Sequence, residues 1–264
     1  MTWTDFVPNR DVLATCYDEV PELSGVRLRS VHLDAWGSVV TLRLDLPRFP
    51  DRWDRGPGDT LQCHLAFSHV EDFAMTGWRP PVTADVALTP LPRHRLDVRV
   101  TAPGLDLSYT SNADVLAGRL SVFTSGPSMS TSEMDLSRWP ELAALYETPP
   151  DLSSCPLYSV HVDERDTSVT LGFETRRLPD HPRPEWAEKR YNTLRFFVVF
   201  TDVDGLRMSG IAAEHPDGRD RTVRVTVTDT GRQRVSVTSE KRSIGFSAAA
   251  SAVVHRRVEL QGSL

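Results

Sequence analysis

Short stretches in which hydrophobic and polar residues alternate recur along the chain. Residues 40–46 read VTLRLDL, so hydrophobic residues occupy every second position, a period that is typical of a β-strand with one buried face. Comparable stretches lie at 61–67, 82–88, 96–100, 105–109 and 194–200. Turn sequences such as GPGD at 56–59 separate them. Because the strands are short and closely spaced, they predict antiparallel hairpins in a sandwich or a curled sheet.

The chain contains one sequence unit twice, and we call the two copies repeat 1 and repeat 2. Residues 13–50 align without gaps with residues 142–179 at an offset of 129, and 16 of the 38 aligned positions are identical. About 2 identities are expected by chance from residue abundance. The alignment resumes at an offset of 133, where residues 61–77 match residues 194–210. This pattern indicates a tandem duplication.

The duplication predicts two domains of similar fold. A third match, at an offset of 127, aligns VRVTAPG at 98–104 with VTVTDTG at 225–231. A stretch rich in Ser, Gly, Pro and Thr at 124–132 is typical of a linker, so we expect domains at 1–128 and 129–264. We expect a monomer with internal pseudo-symmetry, whose sheets pack face to face, because tandem duplicates often replace a symmetric dimer.

Helical signals are confined to one short segment in each repeat. These segments lie at 9–18, where Asn9 can act as the N-cap, and at 137–147, where Ser137 can do so. The expected fold class is therefore mostly β (β-rich α+β). It consists of two tandem homologous antiparallel β-sheet domains, each with one short N-terminal helix.

The composition is that of an ordinary globular protein. The 264 residues include 30 basic and 36 acidic side chains, and the net charge of −6 argues against a surface that binds nucleic acid. No stretch of about 18 apolar residues could span a membrane, and the N-terminal sequence has no signal-peptide pattern, so we expect a cytoplasmic protein. Cys16, Cys63 and Cys155 lack the spacing of a disulfide framework or a zinc site.

The motif Ser-Val-His-x-Asp occurs once in each repeat, with His32 and Asp34 in the first and His161 and Asp163 in the second. Residues two apart on a strand point to the same face, so each His can contact its Asp. A metal site would need a third ligand, but no nearby Cys, His or Glu recurs in both repeats. We expect a structural contact that fixes the turn after the strand, and an enzyme that uses these two pairs remains an alternative.

Other chemistry is not indicated by the sequence. The nucleophile elbow GxSxG, the zinc motif HExxH and the phosphate loop GxxxxGK[ST] do not occur. We therefore expect no catalytic residue, no metal ligand and no cofactor. Glu71 and Asp72 form an acidic turn, and Trp78, in the sequence GWRPP, can either pack in the core or anchor a contact surface.

Repeat 1 resembles the immunity protein 50 (Imm50) family of bacterial polymorphic toxin systems, in its actinobacterial form. The resemblance rests on Trp3, Leu13 and Tyr17, on the stretches LRSVHLD at 28–34 and VTLRLDLPRFPDR at 40–52, and on residues 59–81. It extends to about residue 123. Repeat 2 keeps the equivalent tryptophan, leucine and tyrosine and the SVHVD stretch, but it loses GWRPP.

The resemblance implies a cytoplasmic, non-enzymatic, mostly β protein that binds and neutralises a cognate bacterial toxin domain by occlusion, without nucleic acid or membrane as partner. Acidic residues around an aromatic anchor suit a basic toxin cleft, so Trp53, Glu71, Asp72 and Trp78 are the expected contact residues. A non-toxin scaffold or ligand-binding β-module of a bacterial regulatory complex is the alternative.

Overall fold

The computed structural model describes residues 2–36, 38–53, 56–123, 139–210, 222–228, 231–239 and 242–260, which contain sixteen β-strands. The strands of repeat 1 are β1 (Val26–Asp34), β2 (Val39–Asp45), β3 (Thr60–Phe67), β4 (Glu71–Thr76), β5 (Val82–Leu91), β6 (Arg95–Ala102), β7 (Leu105–Asn112) and β8 (Val115–Phe123). Those of repeat 2 are β9 (Leu157–Asp163), β10 (Ser168–Thr175), β11 (Thr193–Thr201), β12 (Asp204–Ser209), β13 (Thr222–Val227), β14 (Gln233–Thr238), β15 (Ser243–Ala248) and β16 (Ala250–Glu259). The mostly β fold class is confirmed.

Helical structure is sparse. The α-helices α1 (Asp11–Ala14) and α2 (Pro140–Ala143) are shorter than the predicted segments, and 3₁₀ turns lie at Trp3–Phe6, Leu152–Ser154, Arg165–Thr167 and Pro184–Trp186. None of the helices among the described residues is long and apolar enough to cross a membrane.

Asn9 does not cap α1, because Arg10 occupies the N-cap position. The Asn9 side chain instead contacts β8, where its amide donates to the Ala117 carbonyl oxygen and its Oδ1 accepts from the Ala117 N–H at 3.1 Å. A side-chain amide carries the same donor and acceptor as a peptide group, so it can pair with the backbone N–H and C=O of one residue on an edge strand. Ser137, the second predicted cap, lies outside the described residues.

The strands form two eight-stranded antiparallel sheets with the same order from either end. Sheet 1 has the order β8-β3-β2-β1-β9-β10-β11-β16, and sheet 2 has the order β5-β6-β7-β4-β12-β15-β14-β13. The start of β5 also pairs with β1 through residues 82–84, which joins the two sheets. In each sheet, therefore, four strands come from each repeat.

The hydrophobic core lies between the inner faces of the two sheets, and equivalent contacts recur in both repeats. Phe67 on sheet 1 meets Tyr109 on sheet 2 at 5.4 Å between ring centroids, and Phe200 meets Phe246 in the same way at 5.2 Å. All four rings are almost fully buried. Edge-to-face pairs of this kind add to the stabilisation from burial itself.

The two repeats join edge to edge, so the predicted face-to-face packing is wrong. In sheet 1, β1 pairs with β9 in a register that places His32 opposite His161. In sheet 2, β4 pairs with β12, and Met75 lies opposite Met208. In both cases a residue faces its own equivalent in the other repeat, so a pseudo-two-fold axis passes through both junctions. Edge pairing satisfies the backbone groups that two separate domains would leave exposed at these strands.

Strand order identifies which strands of the two repeats are equivalent. The predicted equivalence of residues 40–42 and 169–171 is confirmed, since they lie on β2 and β10, each the second strand of its repeat. The match at an offset of 127 is wrong, because it aligns β6 with β13. In the described part of sheet 2, β5 is the outermost strand at one end and β13 is the outermost strand at the other, so these two strands are equivalent. Their neighbours β6 and β14 are then equivalent as well. Strands of similar Val-Thr composition produced the false match.

The predicted domain boundary between residues 128 and 129 lies outside the described residues, and the division into two domains stays a prediction. The described strands show that both repeats contribute to the same two sheets.

Candidate functional site

The two Ser-Val-His-x-Asp motifs meet where β1 pairs with β9, and we call this pairing the seam. His32 and His161 lie on the outer face of sheet 1, with ring centroids 5.6 Å apart in a T-shaped arrangement. They are placed there because Val31 and Leu33 on β1, like Val160 and Val162 on β9, point into the core.

The aspartates of the two motifs hold the turns that follow their strands. Oδ1 of Asp34 accepts from the Trp36 N–H at 2.9 Å, and Oδ1 of Asp163 accepts from the Arg165 N–H at 2.9 Å. Nε2 of His161 lies 3.6 Å from Oδ2 of Asp163. This geometry supports the predicted structural role of the two pairs.

Ion pairs cross the seam from repeat 1 to repeat 2. Arg43 Nη2 lies 3.0 Å from Oδ2 of Asp163, and Arg27 and Arg29 both pair with Glu164. Arg29 also contacts Asp45 on its own repeat at 2.6 Å. The three arginines, Asp45 and Glu164 were not predicted from the sequence. A signal was present, because Arg29 and Arg43 stand where the alignment at an offset of 129 gives Tyr and Gly.

Burial and neighbouring arginines set the pKa values of the titratable groups at the seam. It lowers the pKa of His32, and it lowers the pKa of His161 to about 4, so both rings are neutral at pH 7. Burial alone would raise the pKa of Asp163, but hydrogen bonds from Arg165 and the positive charges of Arg43 and Arg165 outweigh it. The pKa of Asp163 therefore lies below its ordinary value.

His32 Nε2 lies 3.0 Å from Oγ of Ser159. This is the distance expected between a catalytic base and a serine nucleophile. Ser159 is only 7% exposed and lies opposite Asp34 at the end of the β1–β9 pairing, so its buried hydroxyl is not presented to a substrate. No group of three or more His, Cys, Asp or Glu side chains that could hold a metal ion occurs in the described part of the chain.

The four expected contact residues occupy three different environments. Glu71 and Asp72 are exposed at the start of β4, and Glu71 forms an ion pair of 2.8 Å with Arg95. Trp53, between β2 and β3, is partly buried against the core. Trp78 is 2% exposed, and its Nε1–H donates to the Asp163 carbonyl oxygen at 3.2 Å. The indole of Trp78 therefore offers almost no surface to a partner and instead connects repeat 1 to the seam.

Comparison with known proteins agrees with the duplicated architecture. The family model described as immunity protein 50 matches residues 9–89 and residues 140–257. No curated protein and no solved structure matches the chain. The two matched regions begin and end within repeat 1 and repeat 2, respectively, and together they cover most of the sequence. The chain therefore belongs to the immunity protein 50 family, with two tandem copies of the family unit.

Proposed function

We propose that this protein is a cytoplasmic immunity protein that binds a cognate bacterial polymorphic toxin domain and neutralises it by occlusion. The observation that carries the proposal is the family match over both repeats. The geometry of the seam agrees with it, because His32, Asp34, His161 and Asp163 are engaged in contacts that hold strands and turns. Each chain acts as a monomer with internal pseudo-symmetry, without enzymatic activity of its own.

Glu71 and Asp72 supply an acidic part of the contact surface, with Trp53 as the half-buried aromatic residue of repeat 1. Both carboxylates are exposed at the start of β4, where they can attract a basic toxin cleft over a distance. We assign Trp78 an indirect role, since it follows β4 and its indole contacts the seam through the Asp163 carbonyl oxygen.

Co-expression tests the function. The toxin domain encoded beside the gene of this chain is expressed with and without the chain, and cell survival and co-purification are scored. We expect rescue and a stable complex. Loss of both, with the chain folded and soluble in the same cells, would refute the immunity function and favour the alternative of a scaffold or ligand-binding module.

The acidic contact is tested with the double variant Glu71→Lys and Asp72→Lys. The matched control is Glu19→Lys with Glu22→Lys, because both residues are exposed and have no ion pair in the part of the chain that the structure describes. We expect slower association with the toxin and a weaker salt dependence for the first variant only. Equal association rates for the two variants would show that the toxin does not contact Glu71 and Asp72.

A further inference from the structure

The outer face of sheet 2 carries a row of residues whose charged members are acidic in repeat 1 and basic in repeat 2. One row of directly opposed residues crosses all eight strands. In strand order from β5 to β13, it reads Asp85, Thr101, Asp106, Thr76, Arg207, Gly245, Ser236 and Arg224. The acidic residues lie on repeat 1 and the arginines on repeat 2. A third arginine, Arg234, lies two residues from Ser236 on the same face of β14.

We call Arg207, Arg224 and Arg234, with the small residues between them, the arginine face. All three side chains are exposed, and none forms an ion pair or a side-chain hydrogen bond within the described residues. Among the described residues around β12, the carboxylates of Asp204 and Asp202 pair with other arginines, Asp204 with Arg79 at 3.7 Å and Asp202 with Arg232 at 2.7 Å. The arginine face is therefore a local positive charge on a chain whose net charge is −6.

The fold does not require these arginines. Strand pairing makes Arg207 equivalent to Ala74, Arg224 equivalent to Ala87, and Arg234 equivalent to Asp97 in repeat 1. The same topology thus forms with an uncharged or an acidic residue at each position. The fold therefore does not explain why arginine occupies these three positions, and their side chains are available to bind a partner.

The shape of the arginine face suits a protein surface. An open groove of about 670 Å³ lies beside Arg207 and Arg234, and small residues such as Ser209, Ser236 and Gly245 line it together with Asp204. Arg207 and Arg224 are three strand spacings apart, about 14 Å, and Arg234 lies between them. This spacing matches several carboxylates on a surface better than one small anion. The small residues that line the groove let such carboxylates approach the planar guanidinium groups closely.

We propose that the arginine face binds an acidic surface of the toxin domain. This inference rests on the proposed function and adds to it the surface and the charge of the partner. Glu71 and Asp72 lie on the repeat 1 side of the same sheet, so the toxin meets negative charge at one end and positive charge at the other. Such a pattern fixes the orientation of a partner. The overall negative charge of the chain opposes nucleic acid as the occupant.

The test is the affinity of the purified toxin domain for three forms of the full chain, measured by calorimetry at low and high salt. The first form is the unchanged chain. The second carries Arg207→Ala, Arg224→Ala and Arg234→Ala. The third is a control of equal charge, with Arg93→Ala, Arg176→Ala and Arg190→Ala at exposed positions in turns and loops. Circular dichroism and thermal melting check that each form folds.

We expect the second form to bind at least about tenfold more weakly than the third and to show a weaker salt dependence of affinity than the third. If the unchanged chain binds the toxin and the second form binds equally well, the arginine face is not the contact and only this inference is overturned. If the unchanged chain binds no toxin, the proposed function is refuted and the inference with it. Binding of duplex DNA or self-association by the unchanged chain, lost in the second form, would reassign the face and overturn the inference.

Discussion

The substitution Trp78→Ala tests whether this residue joins the two repeats. The indole follows β4 of repeat 1, is 2% exposed, and donates a hydrogen bond of 3.2 Å to the Asp163 carbonyl oxygen in repeat 2. Its loss removes apolar contact and one buried hydrogen bond at the same place. Trp78→Ala should therefore act on stability, whatever the toxin contacts.

The magnitude follows from the buried area. A buried tryptophan side chain removes about 200 Å² from water, which corresponds to about 5 kcal/mol at about 25 cal/mol per Å². Because the unfolded chain already buries part of that area, we expect Trp78→Ala to lower the free energy of unfolding by about 3–5 kcal/mol. Trp78→Phe keeps most of the ring and loses the hydrogen bond, so we expect a loss of about 1–2 kcal/mol.

Urea denaturation followed by far-UV circular dichroism measures these losses. Trp36→Ala is the matched control, since Trp36 is 49% exposed and its removal should change the free energy of unfolding by less than about 0.5 kcal/mol. If Trp78→Ala lowers the free energy of unfolding by less than about 1 kcal/mol, the indole of Trp78 does not stabilise the junction between the repeats.

Two further predictions concern the fold. The free energy of unfolding should decrease as pH is lowered from about 6.5 to about 4, because the unfolded chain binds protons at the ordinary histidine pKa of about 6.5. In the folded chain, burial holds the pKa values of His32 and His161 lower. Urea denaturation across this range checks the slope, and an unchanged slope in the double variant His32→Gln and His161→Gln would contradict it. Gly77→Ala should lose at least about 2 kcal/mol more stability than Gly25→Ala, because both glycines have positive φ but only at Gly77 would the new Cβ lie 1.9 Å from the Gly104 oxygen. Equal decreases in the melting temperature of the two variants would show that the close approach to the Gly104 oxygen does not destabilise Gly77→Ala.

Most of the strands could be predicted from the sequence, because the alternation that marks a strand is local. Each residue two positions along a strand returns to the same face, so residues 40–46 and 61–67 reveal their buried side without knowledge of a partner. The duplication added the equivalence of the first four strands in each repeat. It failed for the last four, where short Val-Thr stretches such as 98–101 and 225–228 resemble one another by composition alone.

The junction between the repeats could not be predicted in the same way. Alternation shows which face of a strand is buried, but it does not show which neighbour its backbone will pair with. The side-by-side arrangement of β1 and β9, and with it the His32–His161 contact, depends on that pairing. Trp78 was ambiguous for a related reason, because its burial depends on repeat 2, 85 residues further along the chain.

The immunity function is tested by titrating the purified toxin domain with this chain, while complex formation and residual toxin activity are followed in the same samples. This function predicts a saturable complex, with toxin activity falling to background as the complex forms. It also predicts no toxin-independent turnover by the chain. Full toxin activity in the presence of excess folded chain, with no complex detected, would contradict it.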